Sequence, residues 1–149
     1  MVAVATDAGG AKRVGRFAER LGVPMAIIDK RRINDTCVKH GFIVGEVAGK
    51  DAIIFDDEIA AASTIVSTVK TLMEAGVNRV MAGATHPVLC GPAIERLKES
   101  PISRIVVVNT VSVPEPKRLE KIEVLSVATV FAKAIKRIHT GESVGALFS

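Results

Sequence analysis

Residues 53–66 read IIFDDEIAAASTIV. With Ala52 the run AIIF is a short apolar strand that ends in Asp56, Asp57 and Glu58. Small residues follow, and Thr64 opens a stretch with Ile65, Val69, Leu72 and Met73 at helical spacing. A buried strand that ends in charge and turns into a helix is one unit of an α/β fold.

The same alternation extends in both directions. VAVA (2–5) reads as a strand, TDAGG (6–10) as a loop. Residues 11–22 read as a helix with Val14, Phe17, Ala18 and Leu21 on one face and Gly22 as its stop. PMAIID (24–29) is a strand, residues 29–41 an unpatterned polar loop, FIVGEV (42–47) a strand and AGKD (48–51) a turn. Downstream, NRVMAGATH leads into THPVLCG, and PAIERLKES is a short helix with Pro92 in its first turn. RIVVVNT and IEVLS flank a Pro-rich loop. VATVFAKAIKRIH closes as an amphipathic helix with Val127, Val130, Phe131, Ala134, Ile135 and Ile138 on one face. Continuous Val/Ile runs between helices predict a mostly parallel sheet with helices on both faces. Ligands of such sheets bind at the carboxyl ends of the strands. TDAGG, DDEIAAAST and ATHPVLCG all fall there.

At 149 residues the chain is expected to be a single domain, 1–149. Its core must come from Val, Ile, Leu and Ala, because Trp and Tyr are absent. A net charge of +4 without a Lys/Arg tract suits a small anionic substrate and not a nucleic-acid arm. Aromatics at 3% argue against single-strand binding. Cys37 and Cys90 form no CxxC and no zinc spacing, which fits reduced thiols of the cytoplasm. No apolar run is long enough to span a membrane, and MVAVATDAGG lacks a basic leader region.

Four stretches could carry chemistry. Asp56 and Asp57 can accept hydrogen bonds from sugar hydroxyls or hold Mg2+; a charge cluster at a helix N-terminus is the alternative. Residues 60 to 64 could present N–H groups and the Ser63 and Thr64 hydroxyls to a phosphate, or Ser63 could simply cap the helix. In TDAGG, Gly9 and Gly10 allow a sharp turn and close approach, with phosphates on the N–H groups and a metal bridging to Asp7; a plain glycine turn is the alternative. The cations of IDKRR (28–32) could stabilise charge developing in phosphoryl or pyrophosphoryl transfer, or form a solvated face. Of the three histidines, only His86 sits at a strand end.

Together TDAGGAKR, AIIDKRR, GKDAIIFDDEI, EAGVNRVMAGATHPVLCGPAIERL and VLSVATVFAKAIKRIHTGESVGALF resemble the ribose-phosphate pyrophosphokinases, or phosphoribosyl pyrophosphate synthetases. The segments cover almost the whole chain in the family's order. The resemblance implies the type I phosphoribosyltransferase fold and the reaction of ATP with ribose 5-phosphate, assisted by Mg2+. It implies that Asp7, Ala8, Gly9 and Gly10 face pyrophosphate, with Asp7 a metal contact. It implies Lys30 and Arg32 as the basic residues of a catalytic loop. Asp56 and Asp57 match the pair that holds the ribose hydroxyls, and Ala60, Ala61, Ala62, Ser63 and Thr64 match the loop that grips the 5-phosphate.

Two departures stand out. The family is about twice as long, and this chain matches the second of its two similar domains. The first supplies much of the ATP site, so a homo-oligomer or a partner N-terminal domain is expected. The phosphate loop usually reads Asp-Thr-Gly-Gly-Thr or close to it; here Ala60 replaces the acid, and Ala62 and Ser63 carry Cβ atoms where glycines stand. A non-catalytic or regulatory relative with a weakened phosphate grip is therefore the alternative expectation, and a stand-alone phosphoribosyltransferase a third.

Overall fold

A computed structural model describes residues 1–29, 32–34, 37–38 and 42–148, with side chains described for 1–28 and 42–148. In chain order the elements are β1 (Val2–Ala5), α1 (Ala11–Leu21), β2 (Met25–Asp29), β3 (Arg32–Asn34), β4 (Cys37–Val38), β5 (Phe42–Val44), β6 (Asp51–Glu58), α2 (Ser63–Glu74), β7 (Arg79–His86), α3 (Ala93–Glu99), β8 (Ile102–Val108), β9 (Ile122–Leu125) and α4 (Ala128–Thr140). The main sheet has the order β5-β2-β1-β6-β7-β8-β9 and is parallel except for the edge strand β5. The segment 29–41, expected as loop, contains the two-residue to three-residue pair β3 and β4, matched antiparallel through Arg32 and Val38.

Strand alternation builds two cores. Val2, Val4, Ala52 and Ile54 point to one face, where Ile65, Val69 and Leu72 of α2 and Leu97 of α3 cover them. Ala3 and Ala5 point to the other, against Val14 and Ala18 of α1, with Ile53 and Phe55 beside them. All four residues of β1 are fully buried, so the apolar run is continuous and not alternating. Each fully buried Leu or Val contributes roughly 1.5–3 kcal/mol.

From β1 the chain moves through α1 to β2 on one side, and from β6 it moves through α2, β7 and α3 to β8 on the other. Crossovers in parallel sheets share one hand, so a reversal of direction puts the helices on opposite faces. The reversal lies between β1 and β6, and a crevice opens beyond their carboxyl ends.

Two further points differ from the expected pattern. The strand AIIF does not end before the acids: β6 runs through Asp56, Asp57 and Glu58, paired with β7 up to His86. The second is α4, which forms as expected yet buries none of its residues. Its apolar stripe is open, with Val130, Phe131, Ile135 and Ile138 between 45% and 69% exposed. The periodicity correctly marked a face that favours cover; the described residues do not provide it.

Two positions test the packing. The Thr68 hydroxyl is fully buried in α2 and has no hydrogen-bond partner among the described residues. Thr68→Val exchanges that hydroxyl for a methyl of similar shape, and urea denaturation is expected to show a gain of roughly 1 kcal/mol. Gly45 follows β5 at φ 115°, and a Cβ there would lie 2.9 Å from the Met25 carbonyl oxygen. Gly45→Ala adds backbone strain to a clash with a neighbouring strand and is expected to cost about 2–3 kcal/mol in the same assay.

Candidate functional site at the strand reversal

A cleft of about 330 Å3 lies at this crevice, lined by Thr6, Asp7, Asp56, Asp57, Glu58 and residues 59 to 65. Asp7 and the whole stretch Asp56–Thr64 therefore meet at one place. Ala8, Gly9 and Gly10 lie in the adjoining turn but do not line the cleft. Lys30 falls outside the described residues, and of Arg32 only the strand position is described.

The acid pair takes its geometry from strand alternation. Thr6 and Asp56 follow the paired residues Ala5 and Phe55, so their side chains share a face, and the Thr6 hydroxyl donates to Asp56 Oδ2 at 3.3 Å. Asp57 points to the other face. Its N–H donates to Asp56 Oδ1 at 2.9 Å, and its own Oδ1 accepts the Glu58 N–H at 3.0 Å. Arg13, one turn into α1, bridges both acids, with Nη2 3.4 Å from Asp56 Oδ1 and Nη1 3.2 Å from Asp57 Oδ2. Burial pushes the Asp56 carboxyl up, reinforced by the neighbouring Asp57. The hydrogen bond with Asp56, aided by Arg13, holds Asp57 down.

Asp7 Oδ1 accepts the Gly10 N–H at 2.9 Å, which closes the TDAGG turn. The expected sharp turn forms without left-handed backbone. Gly10 has φ −77°, and Gly9 is not among the positive-φ residues. What a side chain would meet at Gly9 is Asp7, because a Cβ would come within 3.2 Å of its Oδ1.

The 59–64 turn is braced from behind by the segment after β7. The Ile59 carbonyl accepts the Leu89 N–H at 2.9 Å and the Ala60 carbonyl accepts the Cys90 N–H at 3.1 Å. The Ala61 carbonyl accepts Arg96 Nη1 at 2.9 Å. A peptide plane points its N–H opposite its C=O. Three carbonyls held outward thus turn the N–H groups of Ala60, Ala61 and Ala62 toward the cleft they line, just ahead of the positive end of α2. Ser63 is not the cap: it is the first helical residue, and Ala62 takes the N-cap position without a side-chain hydrogen bond. Ala62 holds φ 59°, a left-handed conformation that costs an alanine roughly 1–2 kcal/mol. Leu89 in the brace also has positive φ, at 47°, and its carbonyl accepts Lys117 Nζ at 2.8 Å.

Thr6, Arg13, Arg96 and Lys117 were not singled out by the sequence. Arg13 carried a signal, one turn beyond the glycine pair on the helix that leaves the loop. Arg96 and Lys117 carried none. His86, marked for inspection, is engaged: its backbone carbonyl accepts the Ile59 N–H at 3.0 Å. Its Nδ1 lies 3.0 Å from the Thr110 hydroxyl, which donates its proton to Thr85 O at 2.7 Å, so Nδ1 carries the hydrogen. A larger hollow of about 900 Å3 opens at the amino ends of β8 and β9, away from these groups. Three of its charged side chains are engaged with partners. Arg104 pairs with Glu123, and Lys121 donates to the carbonyls of Ser100 and Lys98.

A mostly parallel seven-stranded sheet with helices and its reversal between β1 and β6 is the type I phosphoribosyltransferase fold. The orotate phosphoribosyltransferase of Aeropyrum pernix shares the fold, with a TM-score of 0.58 at 13% identity over 91% of this chain and 64% of that one. More similar is the phosphoribosylpyrophosphate synthetase of Mycobacterium smegmatis, with a TM-score of 0.88 and 37% identity over 95% of this chain and 45% of that one. The phosphoribosyl synthetase-associated domain family matches residues 38–149, and the chain belongs to that family. The ribose-phosphate pyrophosphokinase of Caldanaerobacter subterraneus subsp. tengcongensis is 49% identical over the whole chain and 47% of its own length. That of Clostridium acetobutylicum is 46% identical over 99% of the chain and 46% of its own length. The chain thus spans about half the length of the curated relatives it matches.

The raised pKa of Asp56 has a sign that can be checked. The folded chain holds this proton more tightly than the unfolded chain. Stability contributed here therefore falls as pH rises from the usual carboxylate range through the raised value. Asp56→Asn removes that loss while keeping an oxygen for the Asp57 N–H. By differential scanning calorimetry it is expected to raise Tm at pH 7 by about 2–4 °C, with a smaller gain at pH 4. An equal shift at both pH values would show that the carboxylate is not desolvated.

Proposed function

We propose that this chain is the ribose-phosphate-binding half of a ribose-phosphate pyrophosphokinase, which transfers pyrophosphate from ATP to ribose 5-phosphate. The reading rests chiefly on one observation: the acid pair and the outward-held peptides of residues 59 to 61 border the same cleft. Asp56 and Asp57 accept the ribose hydroxyls. The N–H groups of residues 60 to 64, at the end of α2, take the 5-phosphate. The Asp7–Gly10 turn sits on the pyrophosphate side. Lys30 and Arg32 supply positive charge to the transferring group.

Asp7 fits as one ligand of Mg2+. Its Oδ2 accepts no hydrogen bond from the described residues, and no cluster of three or more metal-binding side chains stands among them. A hard cation here would keep water and substrate oxygens as its other ligands. When bound, the ion would neutralise charge on the pyrophosphate. The domain acts with a second domain or further copies that complete the ATP site. The work is cytoplasmic, and no described helix is long and apolar enough to cross a membrane.

A second reading, a regulatory relative with a loosened phosphate grip, is favoured by Ala62, whose Cβ sits on left-handed backbone. Calorimetric titration with ribose 5-phosphate separates the two. Under the first, the chain binds the sugar phosphate, Asp57→Asn weakens it about tenfold, and ATP, ribose 5-phosphate and Mg2+ yield AMP and phosphoribosyl pyrophosphate once the other half is supplied. Under the second, Ala60→Asp/Ala62→Gly/Ser63→Gly binds far more tightly than the natural chain, which releases no AMP even with that half. Failure of both proteins to bind ribose 5-phosphate at millimolar concentration would reject both readings.

A further inference from the structure

We propose that Arg96 is a positioning residue that locks the Ala61–Ala62 peptide in the orientation able to receive a phosphate ester. The proposal rests on the ribose-phosphate reading of the cleft.

Three successive carbonyls are held away from the cleft, but not by the same kind of donor. Those of Ile59 and Ala60 accept backbone N–H groups of Leu89 and Cys90, which no side-chain substitution other than proline removes. The Ala61 carbonyl accepts Arg96 Nη1 at 2.9 Å, from the far side of the loop on α3. Arg96 does not line the cleft, so it acts through the peptide it holds.

That peptide has a reason to turn. Rotating one peptide plane changes ψ of the residue before it and φ of the residue after it together. A half-turn of the Ala61–Ala62 plane would carry Ala62 from φ 59° into the ordinary negative-φ region, relieving the left-handed strain. The same turn would swing the Ala61 oxygen into the cleft and withdraw the Ala62 N–H from it. A carbonyl oxygen facing phosphate oxygens repels them. The loop is thus a two-state element: local strain favours the closed-off state, and the charge-assisted bond from Arg96 opposes it. Arg96 is exposed, so its hold is moderate and its loss should reduce affinity without abolishing folding.

The test is a calorimetric series on the full chain, with ribose 5-phosphate and, separately, pyrophosphate with Mg2+. Arg96→Gln is expected to weaken ribose 5-phosphate binding about tenfold and to leave pyrophosphate within about twofold. Arg96→Lys, which keeps a charged donor, should recover part of the loss. The decisive variant is Ala62→Gly in the Arg96→Gln chain. Glycine removes the strain that drives the turn, so affinity should return to within about threefold of that of Ala62→Gly alone. A general loss of positive potential would show no such rescue. Unchanged ribose 5-phosphate binding, equal weakening of both ligands, or no rescue by glycine would overturn the lock. A natural chain that binds no ribose 5-phosphate would instead show that the reading of the cleft itself is wrong, and the lock would fall with it.

Discussion

From Ile59 to Ala62 each peptide plane has its carbonyl held by a group outside the turn, and a backbone turn can receive an anion only while its carbonyls face elsewhere. The side chains of Ala60, Ala61 and Ala62 are methyl groups, and the orientation of their peptides is held by the segment that follows β7 and by α3. That segment bears strain of its own, with Leu89 buried in a left-handed conformation and its carbonyl held by Lys117. Strained backbone concentrates where surrounding structure over-determines it. Here two such residues, Ala62 and Leu89, stand on either side of one set of hydrogen bonds.

The electrostatics divide the crevice. Carboxylates gather at the ends of β1 and β6, while the 60–64 turn and the start of α2 supply partial positive charge. Arg13 keeps the acidic side tolerable, yet Asp56 still pays for its burial in a raised pKa. A stability optimum would not place a desolvated carboxylate beside a second one. Such local costs are concentrated at functional sites but also arise in structural ion-pair networks.

Much of the architecture was legible because Val/Ile runs such as VAVA and AIIF have few readings other than buried parallel strands, and Gly22 and the apolar spacing bound the helices. What escaped had identifiable reasons. The extension of β6 through three acids runs against strand propensity and is sustained by pairing with β7, a tertiary effect. The stripe on α4 revealed a face but not what covers it. Asp7, Asp56, Asp57 and the 60–64 turn could be chosen from strand ends, but the alternating directions of the acids, the conformation of Ala62 and the brace from Arg96 depend on contacts across 35 residues or more. Gly9 was chosen for a sharp turn and close approach; that a Cβ there would also crowd Asp7 Oδ1 depends on the folded turn.

One further feature ties the layers together. Phe17 of α1 stacks on Phe55 of β6 with ring centroids 4.2 Å apart and planes within 6°. Arg13 lies one turn earlier on the same helix and reaches the two acids that follow Phe55. The stacked rings fix α1 against β6, and the guanidinium reaches past them to the strand end. A displacement of this outer helix would therefore be felt at Asp56 and Asp57, so the far surface of α1 is mechanically tied to the acid pair.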